Sequence, residues 1–178
     1  MKRGFEITSQ AADLGIQLPQ RATKQAAGYD LASSTDIVLP SIWKQGLLRA
    51  FKILRQGRQL TATEADEASQ DLKPYLVPTG IKAYMQPNEV LILANRSSNP
   101  LKRSLILPNG IGVIDADYYN NEKNEGEIFV QLVNWGIRDR KIHKGDRIAQ
   151  GIFMPYLLAD ADETPHTTRT GGFGSSGY

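Results

Sequence analysis

Asp115 closes the apolar stretch Ile111-Gly-Val-Ile-Asp115, which follows Asn109-Gly110. A carboxylate set against apolar surface without a partner costs several kcal/mol to desolvate, so an acid there is more informative than one in an ordinary loop and is a candidate for catalysis. Asp117 and Tyr118 follow, so Asn109 through Tyr118 joins a tight turn, two carboxylates and an aromatic ring. Asn95-Arg-Ser-Ser98 offers a guanidinium and two hydroxyls after an apolar strand, a set suited to holding an anion. Ala27-Gly-Tyr-Asp-Leu31 places Asp30 beside a glycine at a strand start. At the far end, Arg169-Thr-Gly-Gly-Phe-Gly-Ser-Ser-Gly-Tyr178 flanks Phe173 with glycines, hydroxyls and an arginine, the parts of a closing phosphate clamp. Each cluster also has a plain reading: Asp30 as a turn cap, Ser97 as a solvated hydroxyl, Tyr118 as a core-edge aromatic, and the tail as a flexible linker.

The chemistry open to these residues is narrowed by what the chain lacks. It has no cysteine and only two histidines, His143 and His166. Disulfides, thiolate zinc sites, iron–sulfur clusters and histidine-rich metal centres are therefore excluded. Carboxylates, hydroxyls, arginines and backbone amides must suffice. Across 178 residues, 40% are apolar and 22% charged, the composition of an ordinary globular domain. The formal charge of +2 gives no overall field for nucleic acid or an anionic membrane, and neither partner is expected. No apolar run nears the roughly 18 residues of a membrane helix. The charged start lacks an apolar h-region, so no leader is expected and the cytoplasm is the expected compartment.

The elements that must position these clusters read as short strands between turn signals. The strands are Asp36-Ile-Val-Leu, Tyr75-Leu-Val, Val90-Leu-Ile-Leu, Gly112-Val-Ile-Asp, Ile128 to Val133 and Arg147 to Met154. Pro78-Thr-Gly80, Gln86-Pro-Asn88, Pro108-Asn-Gly110 and His143 to Asp146 supply the turns. Short strands without interleaved helices predict an all-β, antiparallel architecture such as a jelly roll. Ile42 to Lys73 is the exception. Trp43, Gly46, Leu47, Ala50, Phe51 and Leu54 share one helical face, and Thr61-Ala-Thr-Glu64 spells a capping box before an acidic helical pattern. A basic and an acidic helix are expected here as an inserted hairpin over 42–73, either pairing their charges on the surface or offering a docking surface to another macromolecule.

In this order the clusters resemble the trimeric dUTP pyrophosphatase (dUTPase) family. Its five ordered motifs are matched by Ala27-Gly-Tyr-Asp-Leu31, Arg96-Ser-Ser98, Asn109 through Tyr118, Gly145-Asp-Arg-Ile-Ala-Gln150 and Gly171 through Gly177. The resemblance covers most of the chain outside the insertion and resembles the phage and Gram-positive members. It implies a jelly-roll subunit of β-clip type, one domain over 1–178, and a homotrimer with active sites between chains. It further implies hydrolysis of dUTP to dUMP and pyrophosphate by in-line water attack on the α-phosphorus. Asp115 would be the general base. Asn109, with Gly112 and Ile114 in the hairpin around it, would read the uracil edge, and Tyr118 would lie under the deoxyribose. Arg96, Ser97, Ser98 and Gln150 would hold the phosphates, and Asp30 would support Mg²⁺ through its water ligands. In a tail over 167–178, Phe173 would stack on uracil, and Arg169, Gly174, Ser175 and Ser176 would contact the substrate, the arginine and serines at its terminal phosphate.

Three features depart from the family pattern. The hairpin insertion has no counterpart in the minimal enzyme. Tyr119 to Glu125 intervenes where the family runs from its tyrosine to Gly-Glu after one residue. Arg169 stands four positions before Phe173 rather than five. The rival dCTP deaminase shares the Arg-Ser-Ser motif, but its catalytic glutamate and arginine positions are occupied here by Gln131 and Leu101. Glutamine cannot shuttle a proton as a carboxylate does. A regulatory role, binding a protein partner through the hairpin, is the alternative from a different class.

Overall fold

A computed structural model describes residues 2–44, 46–57, 59, 61–71 and 73–163. In chain order its strands and helices are β1 (Gly4–Ile7), β2 (Gln20–Arg21), β3 (Tyr29–Ala32), β4 (Ile37–Leu39), α1 (Gly46–Arg55), α2 (Ala62–Asp71), β5 (Tyr75–Pro78), β6 (Ile81–Tyr84), β7 (Glu89–Ala94), β8 (Leu105–Ile106), β9 (Ile111–Asp115), β10 (Phe129–Asn134), β11 (Arg140–Ile142) and β12 (Arg147–Pro155). Every ladder is antiparallel. The strands form four small sheets: β1-β6, β5-β10-β8, β11-β4 and the five-stranded β2-β3-β12-β7-β9. This is the expected all-β architecture with a helical insertion.

Alternation explains the packing. In β7, Glu89, Leu91 and Leu93 are buried while Val90, Ile92 and Ala94 are half-buried; β10 alternates in the same way through Val130, Leu132 and Asn134. Of the inward positions, Leu91, Leu93, Val130 and Leu132 meet Leu31, Leu39, Val77, Leu105, Ile142 and Ile148 in one core. Burying a side chain of this size contributes about 1.5–3 kcal/mol, so the two alternating strands weld the sheets together. The four turns expected from Pro, Asn, Gly and Asp all fall between strands.

The insertion leaves the sheets after β4 and returns at β5. Its root is specific. Ser41 is fully buried; its backbone N–H donates to Asp139 Oδ1 at 3.1 Å and its hydroxyl to the Gly136 carbonyl at 2.5 Å. The Trp43 indole donates to the Trp135 carbonyl at 3.0 Å, and Lys44 pairs with Asp139 at 3.0 Å. Trp43 therefore sits in a short 3-10 turn, Ile42–Lys44, and α1 begins after it. Ile53 is buried, whereas Leu48, Phe51 and Leu54 are each 58% exposed. Phe51 and Leu54, expected on a shared apolar face, thus face outward. The capping box forms as the sequence predicts: Thr61 N donates to Glu64 Oε2 at 3.1 Å, and Glu64 N donates to Thr61 Oγ1 at 3.3 Å. No helix among the described residues is long and apolar enough to cross a membrane.

Candidate active site

Asp30 lies in β3, directly opposite Gln150 in β12. Gln150 in turn faces Ala94 at the end of β7, just before Asn95-Arg96-Ser97-Ser98. Three adjacent strands therefore carry three of the sequence motifs to one end of the sheet. The side chains meet there: Arg96 Nε donates to Asp30 Oδ1 at 2.8 Å, Arg147 to Asp30 Oδ2 at 3.0 Å, and Gln150 Nε2 to the Asn95 carbonyl at 3.1 Å. The Asp30 side chain is only 14% exposed, so each guanidinium faces a carboxylate with little competing water. Gly28 is needed for close approach, because a Cβ there would collide with the Gln150 side chain.

A bulge makes this convergence work. Strand side chains alternate between faces, which would put Arg147 and Gln150 on opposite sides. The register of β12 against β3 shifts between Arg147 and Ala149, with Arg147 opposite Ala32 and Ala149 opposite Leu31. The extra residue returns Arg147 to the face that carries Asp30 and Gln150. The motif Gly145 to Gln150 marks the segment, but nothing in its spacing announces the bulge or the Arg147–Asp30 pair.

Behind the cluster, Asn95 to Ser98 leads into a π-helical turn, Asn99–Arg103. Asn99 is fully buried. Its Nδ2 donates to Asn95 Oδ1 at 2.7 Å and to the Ile148 carbonyl at 2.8 Å, fixing the loop to β12, while its Oδ1 has no hydrogen-bond partner. Arg103 continues the brace through Asp146 at 2.7 Å. Neither residue was signalled by sequence, since a buried asparagine reads like any loop polar residue. On its other side Asp30 borders a cleft of about 750 Å³ whose walls include Arg21, Ser33, Lys144 and Arg147.

Asp115 is placed elsewhere. In the β7–β9 ladder, Ala94 pairs with Ile111 and Val90 with Asp115. Four residues of strand, on the order of 13 Å, separate the Arg96 end from the Asp115 end. The turn carrying Asn109 enters β9 at the end where β7 runs into Arg96. Gly112, opposite Leu93, and Ile114, opposite Leu91, lie along the same edge strand. Tyr118 follows Asp115 in a 3-10 turn and is 5% exposed. Its hydroxyl donates to the Glu127 carbonyl at 2.9 Å and accepts from Asn124 Nδ2 at 2.8 Å. One subunit thus assembles Asp30, Arg96 and Gln150, and holds Asp115 and Tyr118 apart from them. Ser97 is exposed and Ser98 half-buried in the loop that carries Arg96. Arg169, Phe173, Gly174, Ser175 and Ser176 lie outside the described residues.

Among the described residues, no three His, Cys, Asp or Glu side chains gather as a metal-holding group. Asp30 is the carboxylate of the cluster, and a single carboxylate suits a hard cation such as Mg²⁺, which keeps several waters and takes one or two carboxylates plus substrate oxygens.

Comparison with known proteins identifies the family. The dUTPase family model matches residues 57–177. The deoxyuridine 5'-triphosphate nucleotidohydrolase of Lactococcus lactis subsp. lactis is 42% identical over 98% of this chain and 97% of its own. The crystal structure of dUTPase from Streptococcus mutans superposes with a TM-score of 0.69 at 40% identity, covering 89% of this chain and 99% of that one. A dUTPase variant from phage phi11 of S. aureus, described as coordinating a structural Mg(II) ion, shares the fold at 16% identity, with a TM-score of 0.61 and coverage of 92% and 97%. The chain belongs to the dUTPase family.

Proposed function

We propose that the protein hydrolyses dUTP to dUMP and pyrophosphate in the cytoplasm, as a homotrimer whose active sites are shared between subunits. The observation that carries this reading is the separation of Asp115 from the Asp30–Arg96–Gln150 cluster along one ladder, within a chain of the dUTPase family. A second subunit would bring its Asp115 to the first subunit's cluster.

The substrate's triphosphate carries about −4, so attack at its α-phosphorus needs that charge countered before a water can approach. Arg96, held on Asp30, presents a pre-oriented guanidinium, and Gln150 and the Ser97 and Ser98 hydroxyls add neutral donors. Asp115 takes the proton of a water aligned opposite the leaving pyrophosphate. Mg²⁺, when bound, neutralises phosphate oxygens, and Asp30 is the carboxylate to hold it through water. Tyr118 forms the wall under the deoxyribose, and the Asn109 turn with Gly112 and Ile114 reads the base edge. The tail over 167–178 closes the site, with Phe173 on the base and Arg169, Gly174, Ser175 and Ser176 around the substrate. A protein-binding role for the hairpin is favoured by the exposed ridge of Leu48, Phe51 and Leu54, as an addition to hydrolysis.

Pyrophosphate release from dUTP, beside dCTP, dTTP and UTP with and without Mg²⁺, tests the reading. Asp115→Asn is expected to lower turnover by about 10²–10⁴-fold. Mixing Asp115→Asn subunits with Arg96→Ala subunits should restore part of the activity, because hybrid trimers contain intact sites only if the two residues come from different chains. No recovery in verified hybrids would exclude the shared site.

A further inference from the structure

Tyr119 to Glu125, the segment that lengthens the hairpin beyond the family pattern, folds into a closed polar unit around Tyr118. Asn121 is 7% exposed and organises it. Its Oδ1 accepts from the backbone N–H of Lys123 at 3.0 Å and Asn124 at 3.3 Å, while its Nδ2 donates to the Tyr118 carbonyl at 2.9 Å and to Asn124 Oδ1 at 2.8 Å. Asn124 Oδ1 also accepts from Gly126 N at 3.2 Å, which leaves its Nδ2 aimed at Tyr118 Oη at 2.8 Å. The outer side is tied to the same subunit. Glu125 accepts from Ser9 N at 3.2 Å and from Lys82 at 3.1 Å, Lys82 also donates to Asn120 at 2.6 Å, and Tyr119 donates to Glu6 at 2.6 Å.

We infer that Asn124 is a positioning residue for sugar selectivity, acting through Tyr118; this deepens the proposed function and rests on Tyr118 as the wall under the deoxyribose. A tyrosine hydroxyl can donate once and accept in return, and here both capacities are used, to Glu127 and from Asn124. The ring is therefore held at its Cα by the backbone and at its distal end by two hydrogen bonds. A substrate differing only by an added hydroxyl is hard to reject by shape, because a yielding wall makes room for it. A wall fixed at both ends in a close-packed setting cannot step aside. The inserted segment, foreign to the minimal pattern, is what supplies one of those two bonds.

The test compares kcat and KM for dUTP and UTP in Asn124→Ala, Tyr118→Phe, the double variant and Tyr118→Ala. Asn124→Ala and Tyr118→Phe should each reduce the preference for dUTP by roughly three- to tenfold through a lower KM for UTP, and Asn124→Ala should leave kcat for dUTP within about twofold. The double variant should lose no more than Tyr118→Phe alone, because that change already removes the Asn124 bond together with the Glu127 one. Tyr118→Phe removes both hydroxyl bonds without changing a side chain of the inserted segment, so unchanged selectivity in that variant overturns the inference even if Asn124→Ala disorders the segment. If Tyr118→Ala relaxes selectivity while Tyr118→Phe does not, the ring is a wall but is not held through its hydroxyl, and the inference alone is overturned. Additive losses in the double variant overturn it equally. If Tyr118→Ala leaves selectivity unchanged, the placement of Tyr118 under the sugar fails, and this inference with it.

Discussion

Two segments of this chain read from the sequence as additions to the minimal family pattern, and they are built in opposite ways. The short one, Tyr119 to Glu125, buries Asn121 beside Tyr118, links Asn121 to Asn124, and ties Tyr119 to Glu6 and Glu125 to Ser9 and Lys82. The long one, α1 and α2, is fastened at its root by Ser41, Trp43 and Lys44, and beyond that root it exposes Leu48, Phe51 and Leu54. The contrast shows that length does not integrate an insertion. Hydrogen-bond closure against the host does, because each satisfied buried amide would cost about 1–3 kcal/mol to orphan. The capping box of α2 is strong local chemistry, yet it joins the helix only to itself.

The sharpest way to break this comparison is to place one methyl group at Gly126, just after the short segment, and one at Gly57, between the helices of the long one. Gly126 has φ +81°, and a Cβ there would stand 2.5 Å from the Tyr118 carbonyl oxygen and 3.0 Å from Tyr119 Cα. Both neighbours are backbone and cannot rotate away, so Gly126→Ala should cost about 3 kcal/mol or more and disturb turnover with it. Gly57, which ends α1 with φ +70°, has nothing within 4 Å of such a Cβ. Gly57→Ala should therefore cost only the left-handed conformation, about 1–2 kcal/mol, and leave turnover unchanged. Thermal unfolding and dUTP hydrolysis measured on both variants check this; equal effects would remove the distinction between the segments.

A milder change follows from the root contacts. Replacing residues 46–71 by a short linker, with Ser41, Trp43 and Lys44 kept, is expected to leave dUTP hydrolysis within about twofold, since loop closure depends only weakly on length. Loss of the trimer in sedimentation would instead make the hairpin part of the assembly.

Much of the frame was legible in the sequence. Short apolar runs at β7 and β10, and turn residues at Pro78-Thr-Gly80 and Pro108-Asn-Gly110, are local signals that tertiary packing had no reason to override. The motif order identified Asp30, Arg96 and Gln150, and their meeting follows from strand adjacency. The outward turn of Phe51 and Leu54 could not be read, because periodicity defines a helical face without saying what covers it. Trp43 fitted the same period, but an indole N–H reaching Trp135 held it in a separate turn. The bulge at Arg147 and the burial of Asn99 depend on pairing between distant segments, which no local pattern encodes. The closed unit at Asn121 and Asn124 showed only as a departure from the family spacing.

The smallest expected effect is a pH dependence carried by two carboxylates on either side of Gly126. Hydrogen bonds from Ser9 and Lys82 hold the Glu125 carboxyl below the ordinary value of 4.5. Its contribution is present above that value and is lost as the pH falls through the lower folded-state value, so acid loosens the segment around Tyr118. Glu127 behaves in the opposite sense. Burial pushes its carboxyl above 4.5, the Gly80 N–H opposes this, and the nearby charge of Glu125 adds to the rise. Its stabilising share is complete below 4.5 and is lost as the pH climbs through the raised value, leaving a partly buried charge that weakens the neutral-pH fold. Glu127→Gln keeps an oxygen for Gly80 N, which donates to Glu127 Oε1 at 2.9 Å, and removes that charge. Denaturation midpoints should therefore rise at pH 7 and match the parent near pH 4. For Glu125→Gln they should fall at pH 7 and converge with the parent in stronger acid. A parallel response of the two variants would mean that the shared segment, rather than the environment of each carboxyl, governs their titration.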